Sequence, residues 1–257
     1  VSDLQKSFFE SFDDPDQVTS DRDFSAIREW DVQTRLSFEK ETLGMYVSGH
    51  PLDVCAAVWH AVVTADSRVT GYVTAEDEQR GETLDDFQQN IVMGGLVIGV
   101  EWRRSRRGTD YGIVRVEDFY GVFETVLWQK AVEAYRDVLN EGDIWFFRGM
   151  LKTSYGRRSL SARCAAMTEK VCAEWVADVT LSLPEAEAQD LLPKVKEIIE
   201  THGGSTSVEI ELLTKAGGRS RIQLGPSAGV TVCKESLAAC AACVGESHVS
   251  CGLAPLT

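Results

Sequence analysis

Arg103, Arg104, Arg106 and Arg107 crowd into five positions of the chain, and Lys152, Arg157 and Arg158 crowd into seven positions further on. Cations gathered in this way suit a polyanion, above all a phosphate backbone. Aromatic residues lie beside both clusters: Tyr111 and Trp128 follow the first, and Tyr155 sits inside the second. Such rings can stack on nucleobases, at roughly 1–3 kcal/mol per base. A lone arginine cluster is also what a solvated turn looks like. The choice between these readings depends on whether the two clusters come together in the fold.

Three other groups invite a chemical reading. Gln5-Lys6-Ser7-Phe8-Phe9 sets two adjacent aromatics in a polar stretch. Phe8 and Phe9 suit an apolar groove on a partner while Gln5 hydrogen-bonds its rim, or they tether the segment to the chain's own surface. Cys240, Cys243, His248 and Cys251 give C-x2-C-x4-H-x2-C, near a zinc-knuckle spacing. Cys240 and Cys243 lie in an Ala-rich helical run, however, so reduced core cysteines are the expectation and no metal is assigned. The acid pairs Glu117-Asp118 and Asp85-Asp86 have the type to hold Mg2+, but a strand end and a polar linker favour solvated charge. The four histidines are scattered and no HExxH, GxxxxGK[ST], GxSxG or GxGxxG occurs, so no catalytic residue and no cofactor are expected.

The 257 residues carry 26 Lys+Arg against 40 Asp+Glu, a formal net charge of −14. Taken whole, that acidity argues against a nucleic-acid partner. Divided along the chain it does not. Residues 1–89 hold 19 acids and 7 bases, residues 90–166 hold 9 acids and 12 bases, and residues 167–257 hold 12 acids and 7 bases. One basic island therefore lies between acidic flanks. No apolar run is long enough to span a membrane, and no basic n-region with an apolar run after it opens the chain, so a cytoplasmic setting without membrane contact is expected.

The elements that must position these residues follow from periodicity. Residues 1–29 have the composition of an extended acidic leader. Residues 30–89 contain a helical segment from Trp30 to Leu52, stopped by Gly49-His50-Pro51, a second short helix and a polar connection. Residues 90–175 read as three strands, a helix over 129–140, then two strands. That order is the one of the OB-fold, a five-stranded barrel that binds oligonucleotides on its strand 2–3 face and its 1–2 and 4–5 loops. The arginine cluster falls on the 1–2 loop, and the Lys152–Arg158 cluster falls on the 4–5 loop. Residues 176–257 alternate strands and helices as a small α+β domain. The predicted class is mixed β and α+β, with a helical N-terminal segment, an OB-fold barrel and an α+β C-terminal domain. Single-stranded nucleic acid, read with little sequence preference, is the partner this layout favours. A tRNA-anticodon-type or general single-strand-binding module is the alternative.

Glu39-Lys40-Glu41-Thr42-Leu43-Gly44-Met45-Tyr46-Val47-Ser48-Gly49-His50-Pro51-Leu52 resembles the EKExLGxYxSGHPL segment of the bacterial replicative DNA polymerase III alpha-subunit family. Gly95-Leu96-Val97, Arg107-Gly108-Thr109 and Val116-Glu117-Asp118-Phe119-Tyr120-Gly121 resemble the start of that family's OB-fold, and Ser182-Leu183-Pro184 the start of its C-terminal domain. The resemblance implies the C-terminal portion of an alpha subunit, whose polymerase (nucleotidyltransferase) aspartates lie upstream of these residues. No nucleotidyl transfer by this chain alone is then expected. It implies single-stranded template DNA as the ligand of the OB-fold, the remainder of the alpha subunit as a partner, and binding of the clamp-loader tau subunit by the tail. Gln5, Phe8 and Phe9 fit the family's clamp-binding form, Gln-x-x-hydrophobic-Phe, which implies a sliding clamp as a further partner. DNA replication at the bacterial nucleoid is the implied setting.

Overall fold

The computed structural model describes residues 29–72, 89–154, 156–214 and 217–256. The chain divides into two compact units, Val1–Gly49 and His50–Thr257. In the first, helix α1 (Val32–Leu43) starts where Asp31 accepts a hydrogen bond from the Thr34 backbone at 3.0 Å. Helical periodicity in the sequence runs on to Leu52, yet α1 stops at Gly44, whose φ of +75° closes the last turn onto Lys40. The Glu39 carboxylate then accepts from the backbone N–H groups of Val47 (2.7 Å) and Ser48 (2.9 Å). A glycine cap and a carboxylate that satisfies two backbone donors together outcompete further helix.

The second unit begins with His50, whose Nδ1 accepts from the Leu52 backbone at the start of a 3-10 turn, Pro51–Cys55. Helix α2 (Ala56–Val62) follows and buries Val58, Trp59, Ala61 and Val62. The Trp59 indole donates to the Gly94 carbonyl at 2.7 Å and so fastens α2 to the sheet. A short strand β1 (Gly71–Tyr72) lies beside β6.

Five strands then build the central sheet: β2 (Gln89–Arg104), β3 (Asp110–Glu117), β4 (Val122–Trp128), β5 (Ile144–Ser154) and β6 (Arg157–Met167). Helix α3 (Lys130–Tyr135) separates β4 from β5. The ladders run in a circuit, β2 to β3 to β4 to β6 to β5 and back to β2. All are antiparallel except β4–β6, which is parallel and three residue pairs long. This is the strand order of the partly open OB-fold barrel. The expected class, mixed β and α+β with that barrel inside it, is what the structure has. Strand β2 serves two neighbours, pairing with β5 through its first half and with β3 through its second, on either side of an irregularity between Val97 and Gly99. Gly95 makes the bend possible: a Cβ there would sit 2.3 Å from the Glu117 carbonyl oxygen. Inside lie Met93, Val114, Val116, Phe123, Leu127, Phe147 and Leu160, all buried.

The C-terminal elements are β7 (Val176–Pro184), helix α4 (Ala188–Thr201), β8 (Gly203–Leu213), β9 (Arg219–Gln223), helix α5 (Lys234–Val244) and β10 (Val249–Leu253). Their sheet has the order β10-β7-β8-β9, with β7 and β8 parallel across α4. Helix α4 begins only at Ala188, because Pro184 ends β7 opposite Leu213. Val230 makes isolated bridges to Gly203 and Thr206. One continuous core joins this domain to α2 and to the outer side of β5, where Phe146 packs.

Candidate nucleic-acid interface

Side chains alternate across a strand. With Val114, Val116, Phe123 and Leu127 pointing in, Tyr111, Ile113 and Arg115 of β3 and Glu124, Val126 and Trp128 of β4 must point out. Register then aligns them. Arg103 faces Tyr111, and Tyr111 faces Trp128, so one cross-strand row holds a cation and two rings. The rings stack with centroids 5.1 Å apart and an interplanar angle of 27°, and Trp128 keeps 44% of its surface exposed. A parallel row holds Gly99, Arg115 and Glu124. Arg115 lies over Gly99, where a Cβ would come within 2.7 Å of its guanidinium.

Two loops flank this face. In the β2–β3 turn, Ser105 and Thr109 close a tight hairpin (N to O 2.8 Å), with Gly108 at φ +80°. Arg106 and Arg107 occupy its exposed tip. Arg104 turns back instead: its Nε donates to the Gly108 carbonyl at 3.1 Å and lies 3.6 Å from Asp110. In the β5–β6 hairpin, Lys152 is exposed and pairs in register with Ser159. Arg157 lies 3.1 Å from Glu124 and over the Tyr72 ring at 5.9 Å. Arg158 reaches the Val69 carbonyl at 3.4 Å. Tyr155 lies outside the described residues, as do Gln5, Phe8, Phe9 and Asp85-Asp86. An open hollow of about 750 Å3 adjoins the ring row, lined by Thr109, Asp110, Gln129, Lys130 and Arg136 among others.

Acids are interleaved with these bases. Glu101 ion-pairs with Arg103, Asp110 with Arg104 and at 3.8 Å with Arg136, and Glu124 with Arg157. The hydrogen bond it donates to Glu101 holds the Arg103 guanidinium above its ordinary pKa, with the Glu101 charge adding to it. A phosphate arriving here must compete with exposed carboxylates, a weak contest since such surface pairs are worth at most about 1 kcal/mol. Arg115 was not singled out by clustering, although its i+4 position from Tyr111 on one strand was a readable signal. The Glu124–Arg157 pair was not readable, because it forms between the neighbouring strands β4 and β6, 33 positions apart in the chain.

Asp118 is the opposite of a solvated acid. It is 2% exposed, and its carboxylate accepts from the Ser67 backbone (2.6 Å), the Ser67 hydroxyl (2.7 Å) and the backbone of Tyr120 (2.8 Å) and Gly121 (2.9 Å). It fastens the 67–69 turn to the β3–β4 turn. Among the described residues no group of three or more His, Cys, Asp or Glu could hold a metal ion. The seven cysteines are unpaired, with Cys55, Cys172 and Cys240 buried. Burial pushes the Cys251 thiol up to about 12 and the Cys240 thiol up to about 11. No described helix is long and apolar enough to cross a membrane.

No family model matches the chain. Curated relatives do. The chain is 25% identical over 222 residues to the DNA polymerase III subunit alpha of Vibrio cholerae, covering 85% of this chain and 18% of that protein. It is 24% identical over 219 residues to the same subunit of Escherichia coli K12, covering 83% and 18%. It is 27% identical over 174 residues to the subunit of Bacillus subtilis, covering 67% and 14%. The chain thus spans less than a fifth of the length of these relatives, in their C-terminal part. The resemblance seen in the Glu39–Leu52 segment is borne out over most of the chain. Among solved structures, the SSB domain of a Synechococcus protein superposes with a TM-score of 0.29 at 13% identity, over 30% of this chain and 93% of that one. The second single-stranded DNA binding protein of Mycobacterium smegmatis gives 0.29 at 17%, over 34% and 94%.

Proposed function

We propose that this chain serves DNA replication as the C-terminal accessory region of a polymerase alpha subunit, holding single-stranded template DNA on the outer face of β2, β3 and β4. The observation that carries this reading is the cross-strand row of Arg103, Tyr111 and Trp128, with Arg115 on the same face, Arg157 beside Glu124, Arg106 and Arg107 at the β2–β3 turn and Lys152 on the β5–β6 hairpin. Stacking on the rings accepts any base, and cations at two loops track the backbone. Sequence preference is therefore weak. Nucleotidyl transfer belongs to the rest of the alpha subunit and not to these residues. Gln5, Phe8 and Phe9 engage the sliding clamp and residues 176–257 the tau subunit, in the cytoplasm at the nucleoid.

Fluorescence anisotropy with labelled oligo-dT tests the DNA claim on the full chain. Salt-sensitive binding is expected, with Trp128→Ala weakening it about 5- to 150-fold, the equivalent of roughly 1–3 kcal/mol of stacking. No binding, or an unchanged affinity in a folded Trp128→Ala variant, overturns the claim. Displacement of oligo-dT by structured RNA at lower concentration than by unlabelled DNA would favour the anticodon-type module instead. The clamp claim fails if Phe8→Ala with Phe9→Ala leaves affinity for purified clamp unchanged, and the tau claim fails if a chain ending at residue 175 still binds tau.

A further inference from the structure

The cross-strand row of Gly99, Arg115 and Glu124 does not end at β4. It continues into β6. Leu160 and Ala162 of that strand are buried in the barrel core, so alternation turns Arg157 outward, and its guanidinium meets the Glu124 carboxylate at 3.1 Å. The row finishes on β1, where Tyr72 pairs in register with Arg157 and the Tyr72 ring lies 5.9 Å from the Arg157 guanidinium carbon.

The chain ahead of Tyr72 is fixed to the sheet. Asp118 accepts from the Ser67 backbone and hydroxyl, the Arg158 guanidinium donates to the Val69 carbonyl at 3.4 Å, and Gly71 at φ +100° turns the chain into β1. The side chain itself buries little: Tyr72 is 79% exposed, against 44% for Trp128. Packing therefore does not account for a large ring at this position. A ring presented from a paired strand, with a guanidinium beside it, suits stacking on a base. Leu160 faces Thr125 in the parallel β4–β6 pair, which brings Arg157 level with Val122, six residues along β4 from Trp128. Tyr72 and Trp128 thus stand about 20 Å apart along the strands and about 10 Å across them. Glu124 meets the Arg157 charge, so this end of the face attracts a phosphate weakly and offers a base a ring.

We propose that Tyr72 is a second stacking platform for single-stranded DNA, and that the strand crosses the outer face from the Tyr111–Trp128 row, past Arg115, to the ring beside Arg157. The proposal rests on the reading of this face as the DNA interface and adds to it a residue and a path.

The test uses the full chain and labelled oligo-dT of about 16 nucleotides, the upper end of the site size of an OB-fold. Anisotropy is titrated at five salt concentrations. The same oligonucleotide carrying 5-iododeoxyuridine is photocrosslinked to the unaltered protein, and the attached residues are read by mass spectrometry. Tyr72→Ala should weaken binding about 5- to 150-fold, the worth of one stacked base, and leave the slope of log K against log salt unchanged. Tyr72→Phe should keep the affinity. Crosslinks are expected at Tyr72 as well as at Tyr111 or Trp128. Binding that Trp128→Ala weakens and Tyr72→Ala leaves unchanged overturns the platform at Tyr72 alone. A loss that comes with a slope flatter by about 0.7, one phosphate contact, overturns it too, since Tyr72 then acts only by holding Arg157. Crosslinks confined to Tyr111 and Trp128 overturn it whether or not Tyr72→Ala folds. No binding by the unaltered chain overturns the DNA interface and the platform with it.

Discussion

Replacing both Arg106 and Arg107 by alanine isolates the phosphate-binding part of the proposed interface. Both residues stand at the exposed tip of the β2–β3 turn, on a hairpin held by the backbone of Ser105, Gly108 and Thr109, so their loss leaves the turn intact. Arg104, two and three positions earlier, is already engaged with the Gly108 carbonyl and Asp110. Each phosphate neutralised on a single strand contributes about −0.7 to the slope of log K against log salt. Losing two contacts should flatten the slope by about 1.4. Between 1 M and 0.1 M salt that is about a 25-fold loss of affinity, roughly 2 kcal/mol. Arg104→Ala should flatten it by less than about 0.7, because its guanidinium is spent on its own turn. Anisotropy titrations of labelled oligo-dT at five salt concentrations measure all three slopes. A slope that the double variant leaves unchanged refutes a phosphate role for this turn. An Arg104→Ala effect as large as the pair's refutes the idea that pairing in the free protein decides which arginines reach DNA.

Two further outcomes follow from the fold. Asp118→Ala leaves four donors without their acceptor and should cost about 3 kcal/mol, lowering Tm by about 6–12 °C for a unit of this size, as read by calorimetry. Hydrogen bonds from the Ser48 hydroxyl, the Ser48 backbone and the Val47 backbone hold the Glu39 carboxyl below its ordinary pKa of 4.5. Its contribution is therefore present at neutral pH and lost as pH falls below 4.5 through that lowered value. Protection factors of the Val47 and Ser48 amides, corrected for the intrinsic exchange rate, should fall across that window, and Glu39→Gln should remove that fall.

Local rules made much of this molecule readable. Alternation and turn chemistry marked the five barrel strands and the helix after the third, and chain order alone set two basic clusters on two loops. The partly open ring of ladders was legible from that order because few topologies accommodate it. Sequence could not say where α1 would stop, since Gly44 and Gly49 offer equal punctuation and only the reach of Glu39 to Val47 and Ser48 decides between them. Nor could it distinguish Arg104, folded onto its turn, from Arg106 and Arg107 beside it. Composition and spacing by themselves determined that a basic, aromatic island sits between acidic flanks. Only tertiary structure decided which charges in that island are already paired, that Asp118 is buried as an acceptor for four donors, and that Arg148 is enclosed with one nitrogen on the Ala254 carbonyl. These outcomes depend on residues far apart in the chain, such as Glu124 and Arg157 or Arg148 and Ala254, which meet only when the sheet curls round and the C-terminal domain packs against it.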